Sequence, residues 1–255
     1  MTGSLRVMSR PTMPTSREFT ERLVFLSSSP LFRALAVQAC AEISANARSC
    51  TFSPGQVLFM QGERVRSIMV LMSGRVKETQ LSADGSEVLI RFTCRGDGVN
   101  MQGDSAPLEH TCSARATTKC VVLIWELRMF DRFLARIPQL RMNINQTLAS
   151  RVHELEERFL EIATENVECR LQFLLIRLAR QIGDSHQLGT QIALRREELA
   201  QMIGTSVFTV SRLLSAWSAR GLVVPRRESI IIRDVFRLSC ETLSVHEFAM
   251  EAPYC

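Results

Sequence analysis

The chain has 255 residues, of which 46% are hydrophobic and 22% are charged, and its formal net charge at neutral pH is +5. This length is enough for two ordinary domains with a core each, and the composition excludes collagen-like and low-complexity proteins. No uncharged apolar run approaches the roughly 20 residues that span a bilayer, and the amino terminus lacks a signal-peptide pattern. We therefore expect a cytoplasmic protein without a membrane partner.

Positive charge is concentrated near the carboxyl end of the chain. Residues 171–240 contain ten arginines and five acidic residues, so this segment alone carries an excess equal to that of the whole chain. Such a local excess predicts a polyanionic partner for the segment.

The amino-terminal part is predicted to be a disordered arm followed by short helices. Residues 1–16 contain arginines and prolines but no apolar core, which indicates an arm. One helix is predicted to end near Ser27, and a second to start after Pro30 and to continue through the apolar run that follows.

From Cys50 the pattern changes to short β-rich runs separated by glycine turns. A hairpin is predicted around Asp84-Gly85, where a two-residue turn separates two alternating runs. Strands continue through residues 112–127, so residues 17–137 are predicted to form an antiparallel β-roll that serves as a sensor domain.

A long dimerisation helix is predicted over residues 138–170. Apolar residues recur along it at alternating spacings of four and three, which is the heptad spacing of a coiled-coil seam. The seam residues are Leu148, Val152, Leu155, Phe159 and Ile162. Asn145, Asn166 and Cys169 extend the seam at lower quality. The charged far side of the helix favours a parallel homodimer, and packing of the seam on its own β-roll is the alternative.

Two short helices are predicted around Gly204, where the chain must turn sharply and glycine tolerates a positive φ. The first runs from Arg195 to Ile203, and the second runs from Val207 to about Arg220 with Ser206 as its cap. The second helix buries one face, formed by Val210, Leu213, Leu214 and Trp217.

The opposite face of the second helix is predicted to bind double-stranded DNA. The residues at its amino end are Thr205, Ser206, Phe208, Thr209, Ser211 and Arg212. Arg212 can reach O6 and N7 of guanine, while Thr205, Ser206 and the helix amino terminus can hold phosphates. A hairpin follows with Arg226 and Arg227 at its tip, so residues 171–240 are predicted to be a winged helix-turn-helix domain, before a tail over 241–255.

This order of parts resembles the cyclic-AMP receptor protein / fumarate-nitrate reduction regulator (Crp/Fnr) family of bacterial transcription factors. The resemblance covers about residues 20 to 238 and rests on the glycine turns of the roll and on "REELAQMIGTSVFTVSRLL" at residues 196–214. It implies an α+β fold made of a cyclic-nucleotide-binding-type β-roll, a long dimerisation helix and a winged helix-turn-helix. It also implies a homodimer on a two-fold DNA site with half-sites on the order of 34 Å apart.

The resemblance further implies contact with RNA polymerase, for which the polar loop Gly183–Thr190 is the candidate. It also makes Phe208 a departure, because relatives commonly have a glutamate there that accepts a hydrogen bond from cytosine N4. Phenylalanine cannot accept that bond but can pack on a thymine methyl group. We therefore expect a half-site that keeps the guanine read by Arg212 and loses the neighbouring cytosine preference.

The effector pocket departs from the family pattern as well. Cyclic-nucleotide receptors of this family hold the ribose with a Gly-Glu pair and the cyclic phosphate with an Arg-Ser pair. The corresponding residues here are Asn100 and Met101, and His110 and Thr111. Leu155 and Glu156 replace the usual pair of residues that contact the adenine. Methionine and neutral histidine are poor substitutes for glutamate and arginine, so cyclic AMP is not expected as the effector.

Other cofactors of the family are not predicted either. The haem-binding members have a cysteine and a histidine where this chain has Asn100 and Gln102, and the iron–sulfur members use amino-terminal cysteines, none of which precedes Cys40 here. The eight cysteines form no C-x-x-C pair, which also argues against a metal site. Thiol sensing through Cys112 and Cys120, which flank a strand, stays open as an alternative, as does a haem-based gas sensor.

The sequence fits two further function classes less well than DNA binding. The chain has four histidines and lacks nucleophile-elbow, phosphate-loop and H-E-x-x-H patterns, so an enzyme is not expected. A regulatory nucleotide-binding subunit would share the β-roll, but it would retain the nucleotide contacts and lack the helix-turn-helix.

Overall fold

A computed structural model describes residues 15–83, 85–99, 101 and 109–240. Most of the predicted arm, the predicted tail, Asn100 and Gln102 lie outside these residues. The chain divides into two compact units. The roll unit comprises residues up to Val76 and Arg95–Ala149, and the C-terminal unit comprises Lys77–Cys94 and the residues from Ser150 onward.

The roll unit begins with helix α1 (Ser16–Ser28), whose predicted end is confirmed. Its start is fixed by a capping box in which the Thr15 hydroxyl accepts from the Glu18 amide at 3.3 Å and the Glu18 carboxylate accepts from the Thr15 amide at 2.9 Å. These two bonds satisfy amides that the first turn of a helix leaves without partners.

The second predicted helix is broken. A 3₁₀ turn spans Pro30–Phe32, and helix α2 starts only at Val37 and ends at Ala45. Between them Ala34 has a left-handed φ of 59°, which ends the first turn. The side-chain amide nitrogen of Asn143 donates to the carbonyls of Leu31 and Arg33 at 3.1 and 2.8 Å. A residue distant in sequence therefore satisfies the carbonyl groups of this irregular backbone.

Seven strands follow, as the alternating pattern predicts. They are β1 (Arg48–Phe52), β2 (Val57–Phe59), β3 (Ser67–Ser73), β4 (Val76–Leu81), β5 (Glu87–Thr93), β6 (Ser113–Ala116) and β7 (Cys120–Glu126). In the roll unit β1, β7 and β3 form an antiparallel sheet in that order, and β2 pairs with β6. The indole nitrogen of buried Trp125 on β7 donates to the carbonyl of Ile43 at 2.8 Å. This hydrogen bond anchors α2 to the sheet.

A short helix α3 (Leu127–Arg136) leads from β7 to the long helix α4 (Pro138–Thr164), which confirms the long helix predicted after the roll. The predicted extension of the seam to Asn166 and Cys169 is wrong. The Asn166 side chain caps a new helix, α5 (Val167–Ile182), by accepting from the amide of Cys169 at 3.0 Å, and Cys169 is buried. Among the described helices, α4 included, none has the length and apolarity needed to cross a membrane.

The C-terminal unit combines three helices with a small sheet. Its remaining elements are β8 (Asp184–His186), β9 (Gly189–Ile192), α6 (Arg196–Ile203), α7 (Val207–Ala219), β10 (Val223–Pro225) and β11 (Ile230–Ile232). The sheet has the antiparallel order β10-β11-β9-β8. The prediction of a polar loop over residues 183–190 is therefore wrong, because this segment forms a hairpin whose second strand pairs with β11.

The hairpin β4–β5 shares the core of the C-terminal unit. Leu89 and Phe92 on β5 are buried in one apolar cluster with α5, α6 and α7. Buried Glu78 accepts two hydrogen bonds from Arg91 at 2.8 and 2.9 Å. Lys77 contacts Glu198 of α6 at 3.2 Å, so an ion pair also joins the hairpin to the helix-turn-helix.

Candidate nucleic-acid interface

The first helix of the helix-turn-helix is fixed at both ends. At its start the carboxylate of Glu198 accepts from the amide of Arg195 at 3.1 Å. At its end Gly204 adopts a left-handed φ of 64°, and the amide of Thr205 bonds the carbonyl of Ala200 at 3.0 Å. This is the hydrogen-bonding pattern of a helix that ends at glycine, and it confirms the turn predicted at Gly204.

Helix α7 begins directly after this turn, as predicted. The Ser206 hydroxyl accepts from the amide of Thr209 at 3.1 Å, and the two hydroxyls bond each other at 2.9 Å. The helix ends before Gly221, which also has a positive φ. The predicted inner face is confirmed, since Val210, Leu213, Leu214 and Trp217 are all buried.

The outer face of α7 carries the predicted DNA-reading side chains at its amino end. Phe208 is 78% exposed, an unusual position for a large aromatic ring, and Arg212 one turn later is also exposed. Thr205, Thr209 and Ser211 are half-buried, whereas Ser206 is exposed. One face of α7 therefore presents the apolar ring of Phe208 and the guanidinium of Arg212, which can donate two hydrogen bonds.

The predicted wing is the hairpin β10–β11. Its turn is closed by the amide of Arg226, which donates to the carbonyl of Ser229 at 2.8 Å, and both Arg226 and Arg227 are exposed at the tip. Glu228 at the same tip pairs with Arg195 at 3.2 Å, which joins the wing to the start of α6. This ion pair links residues 33 positions apart, so no local sequence pattern could reveal it.

The charges available to a polyanion follow from this arrangement. Within the described residues, Arg212, Arg226 and Arg227 form no ion pair with an acidic side chain, and Arg195 is the arginine that Glu228 engages. Three exposed guanidinium groups on α7 and the wing are thus available for phosphate or base contacts.

The predicted coiled-coil seam occupies the second half of α4. Val152, Leu155, Phe159 and Ile162 are all more than half exposed, and Phe159 reaches 74%. Leu148, the first seam residue, instead packs partly against the core of the roll unit. Among the described residues of its own unit, no element covers the remaining apolar stripe, which is the arrangement that a helix–helix interface requires.

The predicted effector residues have different surroundings from one another. Met101 is 6% exposed and belongs to the apolar cluster that contains Leu123 and Trp125. His110 is 7% exposed and its ring stacks on Phe59 with 3.6 Å between ring centroids. Thr111 is exposed, and Leu155 lies in the C-terminal unit.

The cysteines proposed for thiol sensing are buried. Cys112 and Cys120 lie in one apolar cluster, and the Cys120 thiol donates to the carbonyls of Arg75 and Thr118 at 3.3 Å each. Burial raises the pKa of the Cys40 and Cys169 thiols, which disfavours the reactive thiolate at those positions. Over the described part of the chain, no group of histidine, cysteine and acidic side chains could hold a metal ion.

Two protein families match separate parts of the chain. Residues 49–137 match the cyclic nucleotide-binding domain, and residues 169–240 match the Crp-like helix-turn-helix domain. Together these ranges cover more than half of the chain, and they fall on the roll and on the helix-turn-helix.

Whole proteins with the same order of parts are also similar to this chain. Electron transport regulator A of Shewanella oneidensis is 25% identical over 72% of this chain and 74% of its own length. The CRP-like cAMP-activated global transcriptional regulator of Mycobacterium tuberculosis is 24% identical over 84% of this chain and 96% of its own. Among solved structures, the c-di-GMP responsive global regulator CLP of Xanthomonas campestris shares the fold, with a TM-score of 0.67, 20% identity and coverage of 78% of this chain and 100% of that chain.

Proposed function

The chain belongs to the Crp/Fnr family of DNA-binding transcription regulators, and we propose that it acts as a homodimer whose paired α7 helices read a two-fold DNA site. Family membership makes it a regulator and not an enzyme. The division into an arm (1–16), a sensor (17–137), a dimerisation segment (138–170), a DNA-binding domain (171–240) and a tail (241–255) is part of this proposal, with the helix of the dimerisation segment ending at Thr164.

Base reading is assigned to the exposed face of α7, and this face is the observation that carries the proposal. Arg212 is exposed on a helix whose opposite face is buried, so its guanidinium is available to donate two hydrogen bonds to O6 and N7 of a guanine. Ser211 and Thr209 flank the same face and are assigned supporting contacts. Capping and burial hold the helix, so Arg212 projects from a rigid element.

Phe208 is assigned the position next to that guanine. Its ring is 78% exposed, so it can meet a base edge without any rearrangement of the protein core. The ring cannot accept a hydrogen bond from cytosine N4, but it can pack against the methyl group of thymine. We therefore expect a half-site in which thymine replaces the cytosine that glutamate-bearing relatives prefer.

Phosphate contacts are assigned to the start of α7 and to the wing. The backbone amides of the first turn give the amino end of α7 a partial positive charge, and Thr205 and Ser206 lie at this end. Arg226 and Arg227 lie at the tip of β10–β11, where they are exposed and lack an acidic partner within the described residues. These groups position the protein on the duplex and do not select a sequence.

Dimerisation is assigned to the seam on α4. Val152, Leu155, Phe159 and Ile162 leave an apolar stripe open on a 27-residue helix, and a second copy of the same stripe is a self-complementary partner. The family resemblance supports the same parallel arrangement. A dimer places two α7 helices on half-sites about 34 Å apart.

The sensor is proposed to work without the family's cyclic-AMP contacts. Met101 fills a core and His110 stacks on Phe59, and neither side chain offers the carboxylate or guanidinium that a cyclic nucleotide needs. The effector is therefore proposed to be a different molecule, and neither haem nor an iron–sulfur cluster is assigned. Contact with RNA polymerase is assigned to the β8–β9 hairpin, where Leu188 is exposed, and in vitro transcription with variants of its tip tests this assignment.

Selection from a random pool of duplex DNA tests the reading function directly. The wild-type chain should enrich two-fold sites that contain the Arg212 guanine and a neighbouring thymine. A second selection with Phe208→Glu should change the neighbouring preference to cytosine and leave the guanine unchanged.

An Arg227→Ala variant is the matched control, because loss of a phosphate contact should weaken binding without changing the enriched sequence. Enrichment of the same half-site by the wild type and by Phe208→Glu would exclude the role assigned to Phe208. Failure to enrich any sequence would exclude base reading by α7 altogether.

A further inference from the structure

A second charged site lies in the C-terminal unit, away from the outer face of α7. A partly open cavity is bounded by the end of α4, by α5 and by the last residues of α6. Its polar lining consists of Arg158, Glu161, Arg170 and Arg177. Met202 and Ile203, which complete α6 just before the turn at Gly204, close one side.

The cavity has an excess of positive charge. Three guanidinium groups face a single carboxylate, so the lining carries a net charge of +2. That carboxylate, on Glu161, is already engaged in a two-bond ion pair with Arg177, one of whose bonds is 2.9 Å long. Arg158 is left with one hydrogen bond to the carbonyl of Ile90, at 3.3 Å. The charge of Arg177 acts unfavourably on Arg158, and an anion between the two guanidinium groups would offset that repulsion.

Hydrogen-bond donors in this cluster are also unsatisfied. The Nε–H groups of Arg158, Arg170 and Arg177 are buried and have no partner among the described atoms. Buried donors in native proteins almost always have a partner, so three unpaired donors around one cavity indicate a missing acceptor. Burial, followed by the neighbouring charge of Arg177, lowers the pKa of Arg158, and the opposing carboxylates of Glu154 and Glu161 do not cancel this shift.

We propose that this cavity binds a small oxyanion with two negative charges, of the size and chemistry of inorganic sulfate or phosphate. Two charges match the excess of the lining, and tetrahedral oxygens can accept from several guanidinium groups at once. Leu174 and Ile203 supply an apolar wall, which limits the space to a compact anion. This site does not depend on the DNA-reading function, because none of its residues lies on the outer face of α7 or on the wing.

Binding of the anion would stabilise the packing of three helices. Arg158 belongs to α4, Arg170 and Arg177 belong to α5, and the apolar wall belongs partly to α6. An anion that accepts from both arginine-bearing helices would therefore tie α4 to α5 beside the turn at Gly204. A ligand that binds only the folded state raises the stability of the protein by mass action.

Titration calorimetry on the full-length protein tests the proposal, with sodium sulfate and inorganic phosphate as probes. Sodium chloride at the same ionic strength is the reference, so that screening is equal in every titration. We expect saturable binding of one sulfate or phosphate per chain and a higher melting temperature than in chloride. Arg170→Gln, which removes one charged donor, should weaken sulfate binding at least about tenfold.

Two further variants separate a built site from general attraction. Arg170→Lys keeps the charge but loses the planar donor group, so it should bind sulfate with an affinity between those of the wild type and Arg170→Gln. Arg180→Gln removes an exposed arginine from the same helix and should leave sulfate binding unchanged. With ¹⁵N-labelled arginine, the Nε–H resonance that is lost in Arg170→Gln should shift on addition of sulfate to the wild type.

Three results would overturn the proposal. The first is a response to sulfate that does not saturate or that chloride reproduces at equal ionic strength. The second is an equal loss of sulfate binding in Arg170→Gln and Arg180→Gln, which would mean diffuse attraction. The third is an Arg170→Gln variant that binds sulfate normally but binds all DNA sequences more weakly, which would reassign the cluster to DNA phosphates. Circular dichroism of each variant establishes that it is folded before it is titrated.

Discussion

The recognition helix and the β-roll each carry an apolar residue at a predicted site position, and the two residues have opposite surroundings. Phe208 on α7, where the resemblance leads us to expect a glutamate, is 78% exposed, whereas Met101 in the roll, where it also leads us to expect one, is 6% exposed. An apolar residue that stays exposed is retained despite its cost in water and is available to a partner. An apolar residue that becomes buried contributes to packing, so its substitution changes the core of its own unit.

The same contrast separates the seam of α4 from the sensor cysteines. The seam residues other than Leu148 are exposed and apolar, so we expect them to contribute through a second molecule. Cys112 and Cys120 are buried and pack in the roll. Substitution of the exposed residues should therefore change DNA binding or dimerisation without changing the free energy of unfolding. Substitution of the buried residues should change the free energy of unfolding without changing binding.

The largest effect on binding is expected from the seam. Phe159→Asp places a charge in the proposed interface and should convert the dimer to a monomer, as measured by analytical ultracentrifugation. Loss of the second half-site contact should reduce DNA affinity by about 100-fold or more. Leu160→Asp is the matched control, because Leu160 is also exposed but lies off the seam. A Phe159→Asp protein that stays dimeric would contradict the assigned interface.

The largest effect on stability is expected in the roll. Met101→Ala should lower the free energy of unfolding by about 2–5 kcal/mol, because it leaves a cavity in a packed core. Urea denaturation measures this change, with Leu81→Ala at an exposed position as the reference. The affinity of the folded protein for its selected DNA site should not change. Wild-type stability in Met101→Ala would mean that Met101 is not a core residue.

Arg212 should show the opposite behaviour to Met101. Arg212→Ala removes a bidentate guanine contact and should weaken binding to the selected site by about 1–3 kcal/mol. Mobility shifts on the selected site and on a site with the guanine replaced measure both the loss and the relaxed specificity. The midpoint of urea denaturation should be unchanged, because the side chain is exposed. Arg220→Ala, at the far end of α7, should retain the specificity of the wild type.

The smallest effect is expected at the wing. Substitution of both Arg226 and Arg227 by alanine should weaken binding to all sequences alike and make the dependence of log affinity on log salt less steep by about one for each arginine. Binding measured over a series of salt concentrations tests this. A loss confined to particular sequences would assign the wing a role in base reading.

Local patterns predicted the C-terminal helices well because the decisive interactions there are local. Gly204 ends α6 and Ser206 caps α7 through bonds that span at most five residues. Asn166 is another local cap, although the heptad pattern wrongly predicted that it extends the seam. Its side chain caps α5, and capping by asparagine outweighs continuation of a seam whose quality was already low.

Features that depend on distant residues were not predictable. The segment over residues 183–190 is polar and reads as a loop, but pairing with β11 makes it a hairpin. The break at Ala34 is supported by Asn143, more than one hundred residues later. For the effector positions, the sequence predicts which residues differ from the family, but it could not show that Met101 is packed in a core.

The sequence by itself determined the order of the roll, the long helix and the helix-turn-helix, the turn and cap of the last of these, and the face of α7 that is buried, because hydrophobic period and capping act within a few residues. Tertiary structure alone decided which remaining side chains are exposed, which are buried and which charges meet. The arginines at 158, 170 and 177 are unremarkable in sequence, and only the packing of three helices brings them around one cavity. Burial and charge proximity are properties of the folded chain, since they depend on residues that the backbone brings together from far apart.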